Sequence, residues 1–557
     1  MKEIVISILK KALKEEKIEI REEEIEKFIE VPPSYDMGDY AFPCFFLAGK
    51  LKENPNQIAI KLRERIGTPP PEFEDIQTSG PYINFFIDRK NLALTLIKEI
   101  LSKKDDFGKV NIGKGGKALI EHTSINPNAS PHVGRARNAI IGDCIVRILS
   151  FVNFKPEVHY YVNDLSKQIA MLTLAKAEKL KFKDMLKKYV NIANKVSKSK
   201  KLEKEVFKLL EKFEQGDKET IGKFNKITDS CVKGQEKILS NLGINYDFFD
   251  YESTYLEEGK NILSELEKTK KLFRDDDGRL VLDLKGTSVE GKMKSPVLVL
   301  TRSDGTGLYP LRDIAYTIEK MKKSDKNIIV LGEDQKLYFQ QIKEALNLLE
   351  FEAPEVVNYS FILLHEKDKT KKMSTRKGDV ILLEDFIKEA IAKARKNTSA
   401  RKRKGDPQKV GVGAVKYAIL KNNSNKSVLF NLDEALDFEG DTGPYIQYSY
   451  ARASSILKKT KKRKMEFIIK ELEPKEIELV KKLAQFQEVV LNSYNTLNPS
   501  LIANYSYQLA QIFNEFYHTC PVIGSGQEGF RLALVESFRQ VLKNSLNLLG
   551  IEAVEEM

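Results

Sequence analysis

The stretch NPNASPHVGRARN occupies residues 126–138 and follows the apolar run KALIEHTS at residues 117–124. The apolar run predicts a short buried strand. After it, Ser130 can cap a helix and Pro131 suits the first helical turn. Apolar residues then recur at helical spacing at Ala136, Ile140, Cys144 and Ile148. The stretch is therefore typical of a crossover from a strand to a helix.

Such a crossover can bind an anion. The free N–H groups and the dipole at a helix N-terminus favour negative charge. Gly134 would let a phosphate approach the backbone closely, and His132 can donate a hydrogen bond to a phosphate oxygen. The alternative is a capped, buried helix that contains a histidine of no special role, and this stretch alone does not decide between them.

A second stretch, KKMSTRKGDVI at residues 371–381, follows the strand-like SFILLHEK. Its side chains combine four cations with two hydroxyls: Lys371, Lys372, Arg376, Lys377, Ser374 and Thr375. Ammonium groups on a short loop suit the stabilisation of charge on a leaving pyrophosphate. The alternative is a basic turn that is merely solvated.

Composition places limits on the class of protein. A chain of 557 residues predicts three or four domains, and 92 Lys and Arg against 80 Asp and Glu, a net charge of +12, favour a polyanionic partner. The four cysteines are far apart in the sequence, without a CxxC pair, which disfavours a disulfide framework and a cysteine-type zinc site. Neither a signal peptide nor a membrane-spanning stretch is evident, so we expect a soluble, cytoplasmic protein.

The pattern along the chain predicts a multidomain α/β protein. From about residue 115, strand and helix patterns alternate, which favours a doubly wound parallel sheet. We assign to it NIIVLG, VVNYSFILL and SPVLVLTRSDGTGLYP, in which Asp304-Gly305 indicates a hairpin turn. The regions expected are a small α+β domain at 1–105, the sheet domain at 115–390 with a helical insertion at about 170–275, a basic linker or stem region at 391–424, and an all-helical domain at 425–557.

In this order, HVGR and KMSTR resemble the HIGH and KMSKS signatures of class I aminoacyl-tRNA synthetases. Arg135 stands where the second signature histidine is usual. Five collinear blocks narrow the resemblance to arginyl-tRNA synthetases: NPNASPHVGRARNAIIGD, YYVNDLSKQIA, GLYPLRDIAYTIEK, KMSTRKGDVILLED and DTGPYIQYSYARASSIL.

The resemblance implies a fold, an activity and partners. The sheet domain would be a Rossmann-type catalytic domain, the N-terminal domain would contact the D-loop of tRNA, and the helical domain would bind the anticodon. The enzyme would activate L-arginine with ATP, accompanied by Mg²⁺ but no dedicated metal site, and would transfer arginine to tRNA(Arg). We expect a monomer without membrane contact.

The resemblance also implies site residues. The catalytic set is His132, Gly134, Arg135 and Lys372. The ATP set is Asn128, Pro131, His132, Gly134, Lys372, Met373 and Ser374. The arginine set is Glu121, Ser124, Asn126, His132, Tyr309, Asp313 and Gln335. The tRNA candidates are Tyr82, Asn84, Tyr445, Gln447, Tyr448 and Arg452. The alternative for Tyr82 and Asn84 is an edge strand on a small core, and the alternative for the C-terminal tyrosines at helical spacing is burial in a core.

Arginine selection gives a physical reason for two of these residues. A guanidinium is planar and always charged, so a selective pocket should offer it carboxylates. Glu121 closes the strand before the crossover, and Asp313 lies one helical turn from Tyr309. Asp313 could instead interact only with a helix dipole. In the second block, Leu165-Ser166 replaces the usual Ala-Gly pair, and the further pocket candidates there are Asn163, Asp164 and Gln168.

Two other functions stay open at the sequence level. A cysteinyl-type synthetase shares the helical C-terminal arrangement, but Cys144 lies inside a predicted helix without companion zinc ligands. A non-catalytic tRNA-binding paralogue is the second alternative, and it is suggested by Arg135.

Overall fold

The computed structural model describes residues 1–34, 37–366, 369–372, 381–400, 405–460 and 468–557, with the backbone alone for residues 364–366, 369–372, 399 and 400. The chain forms two compact units. The first consists of Met1–Lys104, Thr460–Ala484 and Ile512–Phe538. The second consists of Asp105–Lys459, Gln485–Gln511 and Arg539–Met557.

The N-terminal part of the first unit is an α+β fold, which confirms the prediction. Its elements are α1 (Lys2–Glu15), α2 (Glu22–Phe28), β1 (Tyr40–Pro43), α3 (Phe45–Leu51), α4 (Pro55–Ile66), β2 (Phe73–Ser79), β3 (Tyr82–Ile87) and α5 (Arg89–Lys103). The strands form an antiparallel sheet in the order β1-β3-β2. Phe42, Ile83 and Phe85 of this sheet are completely buried in one core with helix residues such as Leu9 and Leu62. Burial of this apolar face is what holds the small sheet together.

The elements after Asp105 follow in chain order. The strands are β4 (Lys117–Glu121), β5 (Lys155–Val162), β6 (Phe248–Tyr251), β7 (Leu272–Arg274), β8 (Leu280–Asp283), β9 (Val297–Val299), β10 (Lys326–Gly332), β11 (Glu355–Tyr359), β12 (Ile362–Glu366), β13 (Lys369–Lys372) and β14 (Val428–Phe430). The helices are α6 (Val133–Phe151), α7 (Lys167–Leu174), α8 (Phe182–Val196), α9 (Lys200–Glu214), α10 (Lys218–Ser240), α11 (Leu256–Lys268), α12 (Tyr309–Lys323), α13 (Lys336–Leu348), α14 (Leu383–Ala400), α15 (Pro407–Leu420), α16 (Leu432–Ala435), α17 (Gly443–Lys459), α18 (Pro474–Ala484), α19 (Phe486–Thr496), α20 (Ser500–Thr519) and α21 (Glu528–Leu548).

A five-stranded parallel sheet lies at the centre of the second unit, in the order β11-β10-β4-β5-β6. Ala118, Leu119 and Ile120 of β4 are all completely buried, as expected for a strand covered on both faces. From β4 the chain passes through α6 to β5, whereas β10 pairs with the other edge of β4. This reversal of strand order opens a crevice at the carboxyl end of β4, where doubly wound folds bind ligands. The predicted sheet domain is confirmed.

Helix α6 begins later than predicted. His132 is the residue before its first turn, not Ser130. The Val133 N–H donates to the Ile381 carbonyl at 3.1 Å, and the Leu383 N–H donates to the Pro131 carbonyl at 2.8 Å. Because these hydrogen bonds keep the backbone extended before Val133, the helix cannot begin there. The predicted apolar stripe is confirmed, since each of its members is at most 1% exposed: Ala136, Ile140, Cys144 and Ile148.

The predicted insertion at 170–275 is only partly helical. Helices α7 to α10 form a core of their own around Leu172, Tyr189 and Phe224. Phe248–Tyr251, however, is β6 and pairs with β5 at the edge of the central sheet. The prediction missed this strand because a four-residue edge strand has too few alternating positions to show a period.

The assignment of SPVLVL to the parallel sheet was wrong. Val297–Val299 is β9, which belongs to a separate antiparallel sheet in the order β7-β8-β9. The predicted turn is confirmed, because Thr301 and Gly307 pair across it and Gly305 has a φ of +87°. A short apolar run alone does not distinguish parallel from antiparallel pairing.

The predicted linker or stem region at 391–424 is largely helical. Most of it belongs to α14 and α15, which pack closely against each other. A Cβ on Gly411 would lie 2.9 Å from the Ile391 nitrogen, so this contact requires glycine. Of the basic stretch SARKRKGDPQK, residues 401–404 lie outside the described residues.

The C-terminal region is helical from Gly443 onward in its described part, as predicted, but its start at 425 was set too early. Val428–Phe430 is β14, which pairs in parallel with β12 in a sheet of order β13-β12-β14. The four cysteines are buried free thiols: Cys44, Cys144, Cys231 and Cys520. Across the described ranges, the helices are all too short or too polar to traverse a bilayer.

Candidate active site

A cavity of about 340 Å³ opens at the carboxyl ends of β4, β5 and β10 and is closed by α12 and α13. This volume suits a small molecule. Its polar and charged lining residues are Glu121, Ser124, Asn126, Arg135, Tyr161, Asn163, Glu252, Tyr309, Asp313, Tyr316, Thr317, Lys320, Gln335 and Tyr338. Both walls therefore contain carboxylates.

Six of the seven predicted arginine-binding residues line this cavity: Glu121, Ser124, Asn126, Tyr309, Asp313 and Gln335. They come from β4, the segment after it, α12 and the segment before α13. The seventh, His132, is not among the lining residues. The fold thus brings together residues that lie more than 200 positions apart in the sequence.

Asp313 lies in the second turn of α12. The Tyr338 hydroxyl donates a hydrogen bond to the Asp313 carboxylate at 2.5 Å, and the Tyr338 ring packs against Tyr309 at a centroid distance of 5.2 Å. Burial raises the pKa of Asp313 to about 6; the Tyr338 hydrogen bond and Arg312 oppose this shift, and Glu121 adds to it. Among the described residues, no cationic side chain lies within 4.0 Å of the Asp313 carboxylate. Asp313 is therefore a carboxylate held by a tyrosine and open to a cation.

Glu121 has a partner that the sequence did not predict. It is the last residue of β4 and 6% exposed, and its Oε2 forms an ion pair with Lys320 Nζ from the last turns of α12. Lys320 is 3% exposed, and its Nζ lies 4.2 Å from the centroid of the Tyr316 ring. A buried carboxylate at the end of an apolar strand needs such a counter-ion, because an unpaired charge there is costly.

Glu252 is a third carboxylate that the prediction missed. It lies after β6 and is 1% exposed. Its Oε1 accepts a hydrogen bond from Arg312 Nε at 2.7 Å and forms an ion pair with Arg312 Nη2 at 2.7 Å. Burial raises the pKa of Glu252, and Arg312 opposes that shift. Arg312 could have indicated such a partner, because an arginine on the apolar face of a helix needs a carboxylate.

The three carboxylates therefore differ in their pairing. Glu121 and Glu252 each have a buried cation at ion-pair distance, whereas Asp313 has a tyrosine hydroxyl. A planar guanidinium entering this cavity would supply the cation that Asp313 lacks. The cavity is chemically suited to one small cationic ligand.

The two signature stretches meet at one edge of the fold. The hydrogen bonds between residues 131–133 and 381–383 place the end of the second stretch against the start of α6. Gly134 lies in the first turn of α6, and Asn128 and Pro131 are buried beside it. Of the second stretch, Lys372 is described only as backbone at the end of β13, and Met373 and Ser374 lie outside the described residues.

His132 is a neutral imidazole at pH 7. Burial lowers its pKa to about 4, and the charge of Arg135 lowers it further. Its Nδ1 is buried without a hydrogen-bond partner in the described part of the chain. Such a nitrogen is free to interact with a ligand, because buried polar atoms normally find partners.

Arg135 lines the cavity and is half-buried. Across the described ranges, no carboxylate lies within ion-pair distance of its guanidinium. It lies in the first turn of α6, so its charge adds to that of the helix dipole. The residue in place of the second signature histidine thus offers an anion a full positive charge.

The three further candidates from the second block have different roles. Asn163 lines the cavity, and its Oδ1 is buried without a hydrogen-bond partner among the described residues. Gln168 lines an adjoining cavity. Asp164 is not a pocket residue, because its carboxylate accepts hydrogen bonds from the Ser253 backbone N–H and hydroxyl at 2.9 and 2.5 Å.

Comparison with known proteins decides the family. Residues 96–432 match the catalytic domain of class I (R) tRNA synthetases, residues 446–557 match the DALR anticodon binding domain, and residues 2–87 match the arginyl tRNA synthetase N terminal domain. The chain belongs to the arginyl-tRNA synthetase family. An arginine–tRNA ligase of Methanocaldococcus jannaschii is 36% identical over the full length of both chains, and one of Clostridium perfringens is 34% identical over 97% of this chain and 98% of its own.

Solved structures of arginyl-tRNA synthetases share the fold of this chain. The arginyl-tRNA synthetase of Thermus thermophilus matches over 100% of both chains with a TM-score of 0.79 and 26% identity. That of Plasmodium falciparum shares the fold, with a TM-score of 0.77 over 99% of this chain and 98% of its own at 22% identity. The cysteinyl alternative is therefore wrong, because all three parts of the chain match domains found in the arginyl family.

The N-terminal tRNA candidates of this family member are not equally accessible. Strand β3 is the middle strand of its sheet, not an edge strand. Asn84 is 8% exposed within β3, so its side chain presents little surface to a base. Tyr82 is half-buried at the start of β3, and its ring meets the exposed ring of Phe45 at 5.6 Å. Tyr82 and Phe45 form a small aromatic surface on which a base could stack.

The C-terminal candidates lie on α17. Gln447 is fully buried and its Nε2 donates to the carbonyls of Lys409 and Glu552, so its side chain presents no exposed surface to tRNA in this structure. Tyr445, Tyr448 and Arg452 are half-buried and recur at helical spacing on one face. The Arg452 guanidinium lies 4.9 Å from the centroid of the Tyr448 ring. This face combines aromatic rings with a cation, as RNA-binding surfaces often do.

Proposed function

We propose that this protein is an arginine–tRNA ligase that uses ATP to form arginyl-adenylate and pyrophosphate and then transfers arginine to the terminal ribose of tRNA(Arg). The observation that supports the proposal is the pairing of the three carboxylates at the cavity. Glu121 and Glu252 each form an ion pair with a buried cation, whereas Asp313 accepts a hydrogen bond from a tyrosine and has no cation at ion-pair distance among the described residues. Membership of the arginyl family supports the same substrate.

In the first step, the arginine carboxylate attacks the α-phosphate of ATP, and pyrophosphate leaves. Asp313 and Glu121 would hold the guanidinium, with Ser124, Asn126, Tyr309 and Gln335 around the rest of the amino acid. This orientation turns an encounter of two substrates into a reaction of positioned groups. No covalent enzyme intermediate is needed.

ATP would bind at the N-terminus of α6. Gly134 leaves room for a phosphate, the neutral imidazole of His132 would hydrogen bond to it, and Asn128 and Pro131 would shape the nucleotide site. Arg135 would stabilise the charge that develops on the phosphates. Lys372, Met373 and Ser374 would act on the leaving pyrophosphate, as the family resemblance implies.

Mg²⁺ would accompany ATP. In the described residues, no group of three or more His, Cys, Asp or Glu side chains is arranged to hold a metal ion. Mg²⁺ usually retains several waters and binds through substrate phosphates, so the triphosphate would provide most of its ligands.

In the second step, a hydroxyl of the terminal ribose attacks the arginyl carbonyl, and AMP leaves. The Tyr82 surface and the face of α17 that presents Tyr445, Tyr448 and Arg452 would contact tRNA. We expect the enzyme to act as a monomer in the cytoplasm.

Charging assays test this proposal. Purified protein with ATP, Mg²⁺ and tRNA(Arg) should charge arginine and should not charge lysine or cysteine measurably. Pyrophosphate exchange, with and without tRNA, shows whether activation needs bound tRNA. Binding of tRNA without any charging would instead identify a non-catalytic paralogue and overturn the proposal.

A further inference from the structure

Lys320 is a buried cation that the reaction described above does not use. It lines the arginine cavity, and its Nζ pairs with Oε2 of Glu121. Its position is fixed on three sides by the helix α12 that carries it, by Glu121 and by the Tyr316 ring. The Tyr316 hydroxyl is held in turn, because it donates a hydrogen bond to Asp250 at 2.7 Å.

This fixed ammonium changes what the cavity offers a ligand. Glu121 and Asp313 both face the cavity, and together they could accept two cations. Since Lys320 occupies one oxygen of Glu121, a ligand can contact only the remaining oxygen of that carboxylate. Asp313 then provides the only carboxylate of the three without an internal cation in the described structure.

We propose that Lys320 is a specificity-determining residue that takes the place of a ligand ammonium beside Glu121, so that the cavity prefers the forked guanidinium to a single ammonium group. A guanidinium can bridge Asp313 and the free oxygen of Glu121, because its five N–H donors point in several directions. The ammonium of a substrate lysine is a compact charge, and the place where it would pair best with Glu121 is already occupied. The inference rests on the proposed function, since it concerns the choice of amino acid by the same site.

The test removes the internal ammonium. In Lys320→Ala, Glu121 loses its counter-ion, and arginine charging should have a kcat/KM at least about tenfold lower, because a buried carboxylate is left unpaired. Lysine charging should become detectable, since substrate lysine can now place its ammonium beside Glu121. The ratio of kcat/KM for arginine to that for lysine should therefore fall by at least about tenfold.

Chemical rescue separates this role from a merely structural one. Ethylammonium added to Lys320→Ala should restore arginine charging and suppress lysine charging, because it refills the site beside Glu121. Ethanol, which is similar in size but uncharged, is the control and should restore neither. Lys320→Arg should retain arginine preference, since it keeps a cation on Glu121.

A double variant protects the test against misfolding. Lys320→Met with Glu121→Gln removes both charges and should unfold at a temperature close to that of the wild type, whereas Lys320→Met alone should unfold earlier. If the wild type charges arginine but Lys320→Ala keeps the wild-type arginine preference and shows no ethylammonium rescue, the inference is overturned. If the wild type does not charge arginine at all, the proposed function fails instead, so the two failures are distinguishable.

Discussion

The Asp313 carboxylate shows how the surroundings of one side chain can select a substrate. The Tyr338 hydroxyl donates a hydrogen bond to it, and burial raises its pKa to about 6 from an ordinary value of 3.8. Desolvation makes the ionised form of the buried carboxyl costly. A bound guanidinium would offset that desolvation cost, so Asp313 favours a positively charged substrate.

The raised pKa of Asp313 predicts how arginine affinity depends on pH. The ionised carboxylate binds the guanidinium, and below about pH 6 a proton competes with arginine for Asp313. The KM for arginine should therefore be constant above about pH 7 and should rise by up to about tenfold per unit below about pH 6. Steady-state charging from about pH 5 to about pH 8 measures this dependence. A KM that stays flat to pH 5 would contradict this role for Asp313.

The pair of Glu252 and Arg312 should matter mainly for stability. Glu252→Ala would leave a buried guanidinium without its carboxylate and should lower the free energy of unfolding by about 3 kcal/mol. Glu257→Ala is the matched control, because Glu257 pairs with Lys260 at the surface and should contribute less than about 0.5 kcal/mol. Urea denaturation measures both. Equal effects of the two substitutions would show that the buried pair is not a stabilising contact.

The sequence identified cavity-lining residues that lie in or beside a signature block. It did not identify residues whose role depends on a partner far away in the sequence. Glu121 and Asp313 could be chosen because carboxylates near a nucleotide turn suit a guanidinium. Lys320 and Glu252 could not, because their partners come from other elements and pairing is a property of the fold. Asn84 and Gln447 looked available in the sequence, but both are buried in local packing.

At the scale of elements, α6 connects the nucleotide motif with the central sheet. Gly142 on α6 faces His122, which follows β4, so closely that a Cβ there would overlap the imidazole ring. Glycine at this position lets α6 pack tightly against β4. The cavity lies at the carboxyl end of that strand. The position of the motif therefore depends on a contact between buried residues.

Gly142→Ala should displace α6 and impair ATP use. Overlap with His122 should lower the free energy of unfolding by about 1–3 kcal/mol and raise the KM for ATP. Gly222→Ala is the control, since Gly222 lies in helix α10 with open space around its Cα and alanine should add about 0.5–1 kcal/mol of stability. Thermal unfolding and ATP-dependent charging measure the two effects. Similar gains in stability for both variants would disprove the tight contact.

Elements with a clear period were predicted from the sequence, and short ones were not. The stripe of α6 and the helices of the insertion have enough residues to show helical spacing. β6 and β14 have four and three residues, respectively, and pair with strands far away in the sequence. The region at 391–424 was predicted as a linker from its charge, but the apolar residues of α15 pack it into the core.

At the scale of the whole molecule, a net charge of +12 suits a tRNA ligand. The face of α17 offers one specific place for such a contact. Arg452→Gln should raise the KM for tRNA several-fold, roughly as expected for the loss of one phosphate contact, and should leave the KM for arginine unchanged. Charging at varied tRNA concentration measures this. A change in the KM for arginine instead would show that the face acts on the catalytic site.

The most direct test of the central claim compares arginine with citrulline, which has nearly the same shape but no positive charge. The measurement is the ratio of kcat/KM for tRNA charging with the two amino acids, in the wild type and in Asp313→Asn. Pairing of Asp313 with a guanidinium predicts a ratio of at least about 10⁴ in the wild type, because rejection leaves a buried carboxylate unmatched, and a fall of at least about a hundredfold in the variant. A ratio that Asp313→Asn leaves unchanged would contradict it.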